Sequence, residues 1–246
     1  TNINGVVIGI FKDGVKTDVL DDYGEIIFDD TTFYAEMGGQ CADTGIIYND
    51  NCKASVINVL KAPNQQHLHF VKVEEGTISV GDVLTLEVDK VKRNKIIANH
   101  TATHLLQAAL KEVVGSHINQ AGSYVDDNRL RFDFTHFEKI SNEQIKAVEE
   151  KVNNVIFQGI DVEIVNMSKE EALSSGAMAL FDEKYGDTVR VVSVGDFSKE
   201  LCGGCHVANS ANIGLFKIET EESVGSGVRK IEAITGKSAY EALVQE

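Results

Sequence analysis

The sequence predicts an α+β protein: an N-terminal small β-barrel followed by an α+β core with an antiparallel sheet and helices. Two observations support this prediction. Residues 1–90 contain short apolar segments separated by turn signals such as Asp13-Gly14 and Glu75-Gly76, a rhythm typical of small barrels and sandwiches. After residue 90, apolar residues recur at helical spacing behind capping patterns. We therefore divide the chain into residues 1–90 and 91–246.

The first segment is predicted to consist of seven short strands. They span residues 6–11, 15–20, 25–29, 45–48, 54–60, 67–73 and 83–88. Gly38-Gly39-Gln40 interrupts this series. Because glycine adopts many backbone conformations, we expect this GGQ segment to form a flexible loop.

The second segment begins with a predicted helix over residues 94–114, capped by Asn94 and ended by Gly115. Ser141 and Ser168 each open a capping-box pattern that predicts a further helix. Strands are predicted at 129–134, 189–194, 213–220 and 229–235, and a last helix at 238–245.

Composition and charge narrow the possible classes of protein. The 246 residues are 43% hydrophobic and 25% charged, which is typical of a globular protein. No apolar run approaches the roughly 20 residues of a membrane span, so no membrane association is expected. Lys+Arg 23 against Asp+Glu 38 gives a net charge of −15, which argues against a protein held on nucleic acid mainly by its own field.

A cluster of histidines and cysteines indicates metal chemistry. His100 and His104 are four residues apart in the predicted helix, so both imidazoles lie on one face. The apolar face of that helix lies opposite, so we expect the pair to face solvent or a cleft. Cys202, Cys205 and His206 lie on a glycine-rich turn.

Two histidines with a cysteine and a third histidine make a nitrogen and sulfur donor set that favours zinc. A CxxC pair of Cys202 and Cys205, with redox or structural chemistry, remains an alternative. The HTATH string at 100–104 lacks the glutamate of the HExxH motif, so a metallopeptidase would have no general base.

Several strings, taken in order, resemble the editing domain of the alanyl-tRNA synthetase family. They are TTFYAEMGGQ at 31–40, HTATHLL at 100–106, QAGS at 120–123, LRFDF at 130–134 and CGGCH at 202–206. The resemblance runs from about residue 5 to residue 240. It implies that residues 1–90 form a β-barrel with the GGQ loop and residues 91–246 a zinc-binding editing (deacylase) domain.

The resemblance also implies roles for individual residues. The zinc ligands would be His100, His104, Cys202 and His206. The catalytic residues would be Gln120, Thr31 and Glu36, with Thr31 recognising the serine hydroxyl. The substrate-binding residues would be Gly38, Gly39, Gln40 and Arg131.

The chain departs from the family pattern at two of these positions. Cys205 stands where the family has threonine, which leaves two thiols to choose between as the zinc ligand. Thr32 stands where the family often has proline, so the turn after Thr31 need not be the same.

The activity implied by the resemblance is hydrolysis of the ester bond in Ser-tRNA(Ala) and Gly-tRNA(Ala). A pocket built for alanine discriminates poorly against glycine, which lacks one methyl group, and imperfectly against serine, which adds one hydroxyl. One such group is worth only about 1–3 kcal/mol, so a second, hydrolytic site is needed.

Two alternatives to this function remain open: a free-standing editing protein that acts in trans, and a non-catalytic zinc-stabilised module that binds tRNA. The string SGVRKIEAITG at 226–236 resembles the synthetase more than the free-standing proteins, and the chain does not begin with methionine. We therefore expect a piece of a cytoplasmic synthetase whose aminoacylation and C-terminal domains are missing here.

The net charge predicts weak and strongly salt-dependent binding of tRNA(Ala) by this chain. Lys90, Lys92, Arg93 and Lys95 are the local basic residues expected to guide the acceptor end. If about four phosphates are contacted, affinity should fall roughly 100-fold between about 50 and 200 mM salt. Fluorescence titration with labelled tRNA(Ala) measures this, and tight, salt-insensitive binding would contradict it.

Overall fold

The computed structural model describes residues 2–179 and 186–245. The chain divides into two compact units. The first comprises Thr1–Met37 and Cys41–Arg93, and the second comprises Gly38–Gln40 and Asn94–Glu246. Within the described ranges, every helix is too short or too polar to cross a lipid bilayer.

In its described part, the first unit is built from nine strands. They are β1 (Ile3–Lys12), β2 (Val15–Thr17), β3 (Val19–Leu20), β4 (Tyr23–Phe28), β5 (Gly45–Tyr48), β6 (Lys53–Lys61), β7 (His67–Glu75), β8 (Ile78–Ser79) and β9 (Val83–Val88). Six of them pair antiparallel in the order β1-β4-β7-β6-β5-β9, and β9 pairs back to β1. The sheet therefore closes into the barrel that the sequence predicts, and closure leaves no unpaired edge between these strands.

Alternating side chains of the barrel strands form its core. Val7, Ile10, Ile26, Ile47 and Leu86 are among the buried members of this cluster. Because successive residues of a strand point to opposite faces, a period of two in apolar residues fills the interior from every strand.

The second unit begins with α1 (Lys90–Val113), so the division between the units falls within the first turn of this helix. Its further elements are β10 (Gln120–Val125), β11 (Leu130–Thr135), α2 (Asn142–Gln158), β12 (Val162–Ser168), α3 (Lys169–Ser174), β13 (Thr188–Val194), β14 (Ser198–Leu201), a 3-10 turn (Ser210–Ile213), β15 (Phe216–Gly225), β16 (Val228–Thr235) and α4 (Gly236–Val244).

Two antiparallel sheets organise this unit, one in the order β10-β11-β16-β15 and one in the order β12-β13-β14. Helix α2 packs against β15, and the Asn153 side chain fastens the two together by bonding both the N–H and the C=O of Phe216, at 2.9 and 2.8 Å. The α+β class is therefore confirmed.

Both predicted capping boxes are present. Ser141 accepts a hydrogen bond from the backbone N–H of Gln144, whose side chain bonds the Ser141 backbone in return, and Ser168 does the same with Glu171. These reciprocal bonds satisfy backbone donors that the first turn of a helix leaves without partners.

The predicted start of the first helix was wrong. Helix α1 begins at Lys90, one turn before Asn94, and the carboxylate of Asp89 accepts the backbone N–H of Lys92 at 3.0 Å. Aspartate and asparagine cap helices about equally well, so residue type did not distinguish Asp89 from Asn94.

Strand predictions succeeded where apolar residues alternate. The bounds 45–48 and 83–88 agree with β5 and β9, whereas segment 15–20 is divided into β2 and β3. The predicted strand 213–220 starts too early, because Ile213 belongs to the 3-10 turn. Strands β8, β10, β12 and β14 were missed; β12, for example, is exposed along most of its length and so has no alternating pattern.

Candidate metal centre

The structure brings the four predicted metal ligands together. Helix α1 presents His100 and His104, and the loop after β14 presents Cys202 and His206. One donor atom from each of the four side chains lies within 4.8 Å of all the others. Such a set, from a helix and a loop about 100 residues later, can enclose one cation.

The expectation that His100 and His104 face solvent or a cleft was wrong. Every residue of α1 from Ala98 to Leu110 is buried, including the two histidines at 7% and 4% exposure. The face that carries the histidines is covered by specific partners: His100 Nδ1 bonds Gln40 at 2.7 Å, and the Gln107 amide contacts the Met178 sulfur at 3.8 Å. A helical period detects the apolar face but not the burial of a polar face by hydrogen-bonded loops.

A hydrogen bond from Gln40 sets the tautomer of His100. The side-chain carbonyl Oε1 of Gln40 lies 2.7 Å from His100 Nδ1 and accepts the backbone N–H of Cys205 at 2.9 Å. Because a carbonyl oxygen only accepts, the His100 proton resides on Nδ1. The lone pair of Nε2 is then directed at Cys202 Sγ, 3.4 Å away.

Thr101 sets the tautomer of His206 by the same reasoning. The Thr101 hydroxyl donates its one proton to the Ile97 carbonyl at 2.8 Å. It lies 3.0 Å from His206 Nδ1, so that nitrogen must be the donor. Nε2 of His206 is thereby left as an acceptor, 3.3 Å from Cys202 Sγ.

Among the residues that the structure describes, His104 has no such partner. Its Nε2 lies 3.6 Å from Glu200 Oε2, too far for a hydrogen bond. Among the described residues, His104 Nδ1 and Glu200 Oε1 are buried polar atoms without a hydrogen-bond partner. Such orphaned atoms are rare in native proteins and call for an explanation; a cation held by the cluster would give one nitrogen of His104 a partner.

The three histidines of the cluster and the neighbouring Glu200 are neutral at pH 7. Burial lowers the pKa of His100 to about 4, and it also lowers the pKa of His104 and of His206 well below the ordinary value. Burial raises the pKa of Glu200 to about 8. The imidazole lone pairs are therefore available to a cation, as metal binding requires. Three nitrogens and one sulfur at these spacings fit zinc.

The ligand loop is held by Arg190 on β13 and by a glycine. Arg190 Nη1 donates to the carbonyls of Cys202 and Gly204 at 2.8 and 2.6 Å. A Cβ at Gly204 would lie 2.1 Å from Cε1 of His100 and 2.8 Å from Oε1 of Gln40. Any larger residue there would push the loop away from the helix.

The geometry distinguishes the two candidate thiols. Cys202 Sγ lies in the cluster with the three histidines, and the cluster does not include Cys205. The backbone N–H of Cys205 instead supports Gln40. The cluster therefore favours Cys202 over Cys205 as the metal ligand.

The GGQ segment is anchored at its second and third residues, so the expectation of a flexible loop was wrong there. Gly39 accepts the backbone N–H of Val125 at 2.7 Å, and Gln40 is 1% exposed. A Cβ on Gly39, whose φ is +82°, would lie 2.3 Å from the carbonyl oxygen of Ser123. Gly39 is therefore required because the backbone passes so close to strand β10. Gly38, by contrast, is exposed.

The other predicted site residues of the second unit lie on its four-stranded sheet. Gln120 opens β10, opposite Phe134 of β11. Arg131 on β11 makes a bidentate ion pair with Asp133, both bonds at 2.9 Å. The side chains of Gln120 and Arg131 are partly exposed, so each can still contact a ligand.

Three residues with a predicted role, Thr31, Glu36 and Arg93, belong to the first unit. The Thr31 hydroxyl contacts the ring of His69, and the Glu36 side chain is exposed. Arg93, expected to guide tRNA, is paired with the carboxylate of buried Asp43 and also donates to the Thr32 carbonyl at 2.8 Å. Its charge is therefore largely compensated inside the protein.

Sequence reasoning missed Thr101, Arg190 and Glu200 as neighbours of the metal ligands. Thr101 lies directly beside His100, and Glu200 lies two residues before Cys202, but adjacency gives no chemical signal of its own. Arg190 lies on a strand that reads as core. These contacts depend on how segments that are distant in sequence pack together.

Replacing the two thiols in turn tests the ligand assignment. Zinc-loaded protein should hold about one ion per chain, and Cys202→Ala should lose most of it because one of the four donors is removed. Cys205→Ala is the matched control and should keep its zinc. Metal analysis after gel filtration gives the stoichiometry, and zinc retained by Cys202→Ala but lost by Cys205→Ala would contradict the assignment.

Replacing Gln40 tests whether its hydrogen bond orients His100. Gln40→Met keeps the size of the side chain but removes the acceptor, so zinc affinity should fall about 10- to 100-fold. Gln40→Glu retains an acceptor oxygen and should bind more tightly than Gln40→Met. Competition with a fluorescent chelator measures the affinities, with Gln120→Met as the control. Equal affinities for Gln40→Met and wild type would show that the bond is dispensable.

Two family models match the chain. The model described as tRNA synthetases class II (A) matches residues 1–92. The model described as the second additional domain of threonyl and alanyl tRNA synthetases matches residues 189–232, which include Cys202 and His206.

The curated relatives are alanine–tRNA ligases. That of Bacillus cereus is 53% identical over 239 residues, which are 96% of this chain and 27% of the relative. That of Geobacillus thermodenitrificans is 52% identical over 246 residues, 99% of this chain and 28% of the relative. The ligase of Bacillus anthracis is 53% identical over 239 residues, which again are 27% of the relative's length. The chain therefore belongs to the alanyl-tRNA synthetase family, whose curated members it matches over about a quarter of their length.

Proposed function

We propose that this chain hydrolyses the ester bond of tRNA(Ala) mischarged with serine or glycine, and that zinc is the cofactor. The observation that carries the proposal is the cluster of His100, His104, Cys202 and His206, in a chain that is 53% identical to part of an alanine–tRNA ligase. Such ligases handle alanine, for which glycine and serine are the competitors that a single pocket rejects poorly. A cytoplasmic location and the presence of further domains, for aminoacylation and at the C-terminus, belong to the same proposal.

The proposed division of labour follows the chemistry of each group. Zinc bound at the cluster would supply a fixed positive charge that polarises or positions the ester. Gln40 and Thr101 hold two ligand rings in the orientation this needs. The His100 ring is buried, which excludes water from its side of the site.

The remaining candidate residues would act on the substrate directly. Gln120 can donate and accept hydrogen bonds and would orient a water molecule or the terminal adenosine. Thr31 would recognise the serine hydroxyl, and Glu36 would line the pocket. Arg131 has Nε and Nη2 occupied by Asp133, so Nη1 is the group assigned to a phosphate. Gly38 is exposed and offers backbone contacts at the same segment as Gly39 and Gln40.

A second candidate function has one observation in its favour. Four protein ligands complete the tetrahedral coordination of zinc, which is the pattern of structural sites. A non-catalytic, zinc-stabilised module would bind tRNA regardless of the attached amino acid and would unfold when the metal is chelated. A free-standing editing protein would have the same chemistry and would differ in the length of its gene.

A deacylation assay tests the proposal. Zinc-loaded chain at high concentration should release serine from Ser-tRNA(Ala) and glycine from Gly-tRNA(Ala), and should leave Ala-tRNA(Ala) largely intact. Cys202→Ala should slow the release about 100-fold or more, because a bound metal contributes several kcal/mol to stabilisation of the transition state.

Cys205→Ala is the control for that assay and should react at nearly the wild-type rate. High protein concentration separates weak tRNA binding from absent chemistry. Hydrolysis no faster than buffer, together with tRNA binding that ignores the amino acid, would support the non-catalytic module instead.

A further inference from the structure

The first unit contains a buried histidine that contacts Thr31. Thr31 follows strand β4, and its hydroxyl oxygen lies 2.8 Å from Nε2 of His69 on strand β7. On the other side of the ring, Nδ1 lies 3.0 Å from the carbonyl oxygen of Ile26. His69 is 0% exposed, and the rings of Phe28 and Phe33 pack edge-on against it. The imidazole is therefore fixed in position and orientation.

The directions of these hydrogen bonds follow from the chemistry of the groups. The Ile26 carbonyl can only accept, so Nδ1 carries a proton. Burial lowers the pKa of His69 to about 4, so the ring holds a single proton at neutral pH. Nε2 is then unprotonated, so the Thr31 hydroxyl is the donor of the hydrogen bond between them.

One of the two lone pairs of the Thr31 hydroxyl oxygen is also occupied. The backbone N–H of Phe33 donates to Thr31 Oγ1 at 3.1 Å. A hydroxyl has one proton and two lone pairs, so one lone pair remains. Thr31 is partly exposed, and a ligand that reaches this oxygen can only donate a hydrogen bond to it.

We propose that His69 is a positioning residue that makes Thr31 an obligate hydrogen-bond acceptor, and that it thereby sets the preference of this site for an amino acid with a side-chain hydroxyl. The inference rests on the proposed function, in which Thr31 meets the amino acid of the mischarged tRNA. Serine presents an O–H donor to the free lone pair, whereas glycine presents nothing. His69 should therefore matter for Ser-tRNA(Ala) and be irrelevant for Gly-tRNA(Ala).

Two amide substitutions separate the two nitrogens of the ring. His69→Asn places an amide N–H near the position of Nδ1, so it keeps the bond to Ile26 but removes the acceptor for Thr31. His69→Gln reaches to the position of Nε2 and can supply an acceptor oxygen there. Losing one hydrogen bond to the substrate corresponds to about a three- to tenfold effect.

The experiment measures kcat/KM of the full chain, zinc-loaded, for both mischarged tRNAs. We expect His69→Asn to lower the Ser-tRNA(Ala) value about three- to tenfold and to leave the Gly-tRNA(Ala) value unchanged. His69→Gln should restore most of the serine value. The serine-to-glycine ratio is an internal control, because a misfolded fraction lowers both rates equally.

Two further variants define the coupling. Thr31→Val should lower the serine value at least as much as His69→Asn, and the double variant should be no worse than Thr31→Val alone, since both changes act through one hydroxyl. His67→Asn removes a histidine from the same strand whose ring centre is 6.5 Å from that of His69, and it should leave the ratio unchanged.

The tautomer of His69 gives a readout independent of activity. ¹⁵N NMR at pH 7 should show a protonated Nδ1 and a bare Nε2; a protonated Nε2 would overturn the inference. An unchanged serine-to-glycine ratio in His69→Asn would overturn it while leaving the proposed function intact. Wild-type chain inactive on both tRNAs would overturn the proposed function, and the role of His69 in specificity with it.

Discussion

The metal centre depends on the hydrogen bonds that hold a proton on the outer nitrogen of His100 and of His206. A neutral imidazole can carry its proton on either nitrogen, and only one choice directs a lone pair at a cation. Gln40 makes that choice for His100 and Thr101 makes it for His206. Gln40 also accepts the backbone N–H of Cys205, so one amide group aligns the helix ligand with the loop that carries Cys202.

Burial gives these bonds their effect. The same exclusion of water that lowers the pKa of the three histidines keeps their lone pairs free at neutral pH. It also keeps Glu200 protonated, because burial raises the pKa of its carboxyl to about 8. The three imidazole donors are thus uncharged inside a chain of net charge −15.

Each of the two units contains a buried histidine whose tautomer is fixed by a carbonyl oxygen. In each, a buried and neutral histidine donates a hydrogen bond from Nδ1 to a carbonyl oxygen, which belongs to Ile26 for His69 and to Gln40 for His100. Nε2 then becomes a directed acceptor. In the second unit, Nε2 of His100 is directed at Cys202 Sγ, and in the first, Nε2 of His69 accepts a hydrogen bond from the Thr31 hydroxyl. Because burial and the hydrogen bond at Nδ1 hold the ring in place, the direction of the Nε2 lone pair is fixed.

The sequence by itself determined the strands and helices that are marked by a regular spacing of apolar residues or by a capping motif. Alternation predicted the barrel strands, the serine boxes predicted α2 and α3, and the His and Cys spacings, with the resemblance, predicted the four ligands. The sequence could not show that α1 is buried on its polar face, that Gln40 serves His100, or that Cys202 rather than Cys205 joins the cluster. Those facts are contacts between segments 60 to 165 residues apart. Tertiary packing alone decides such contacts, because a hydrogen bond's direction and a residue's burial depend on which surfaces meet, and periodicity records only which face is apolar.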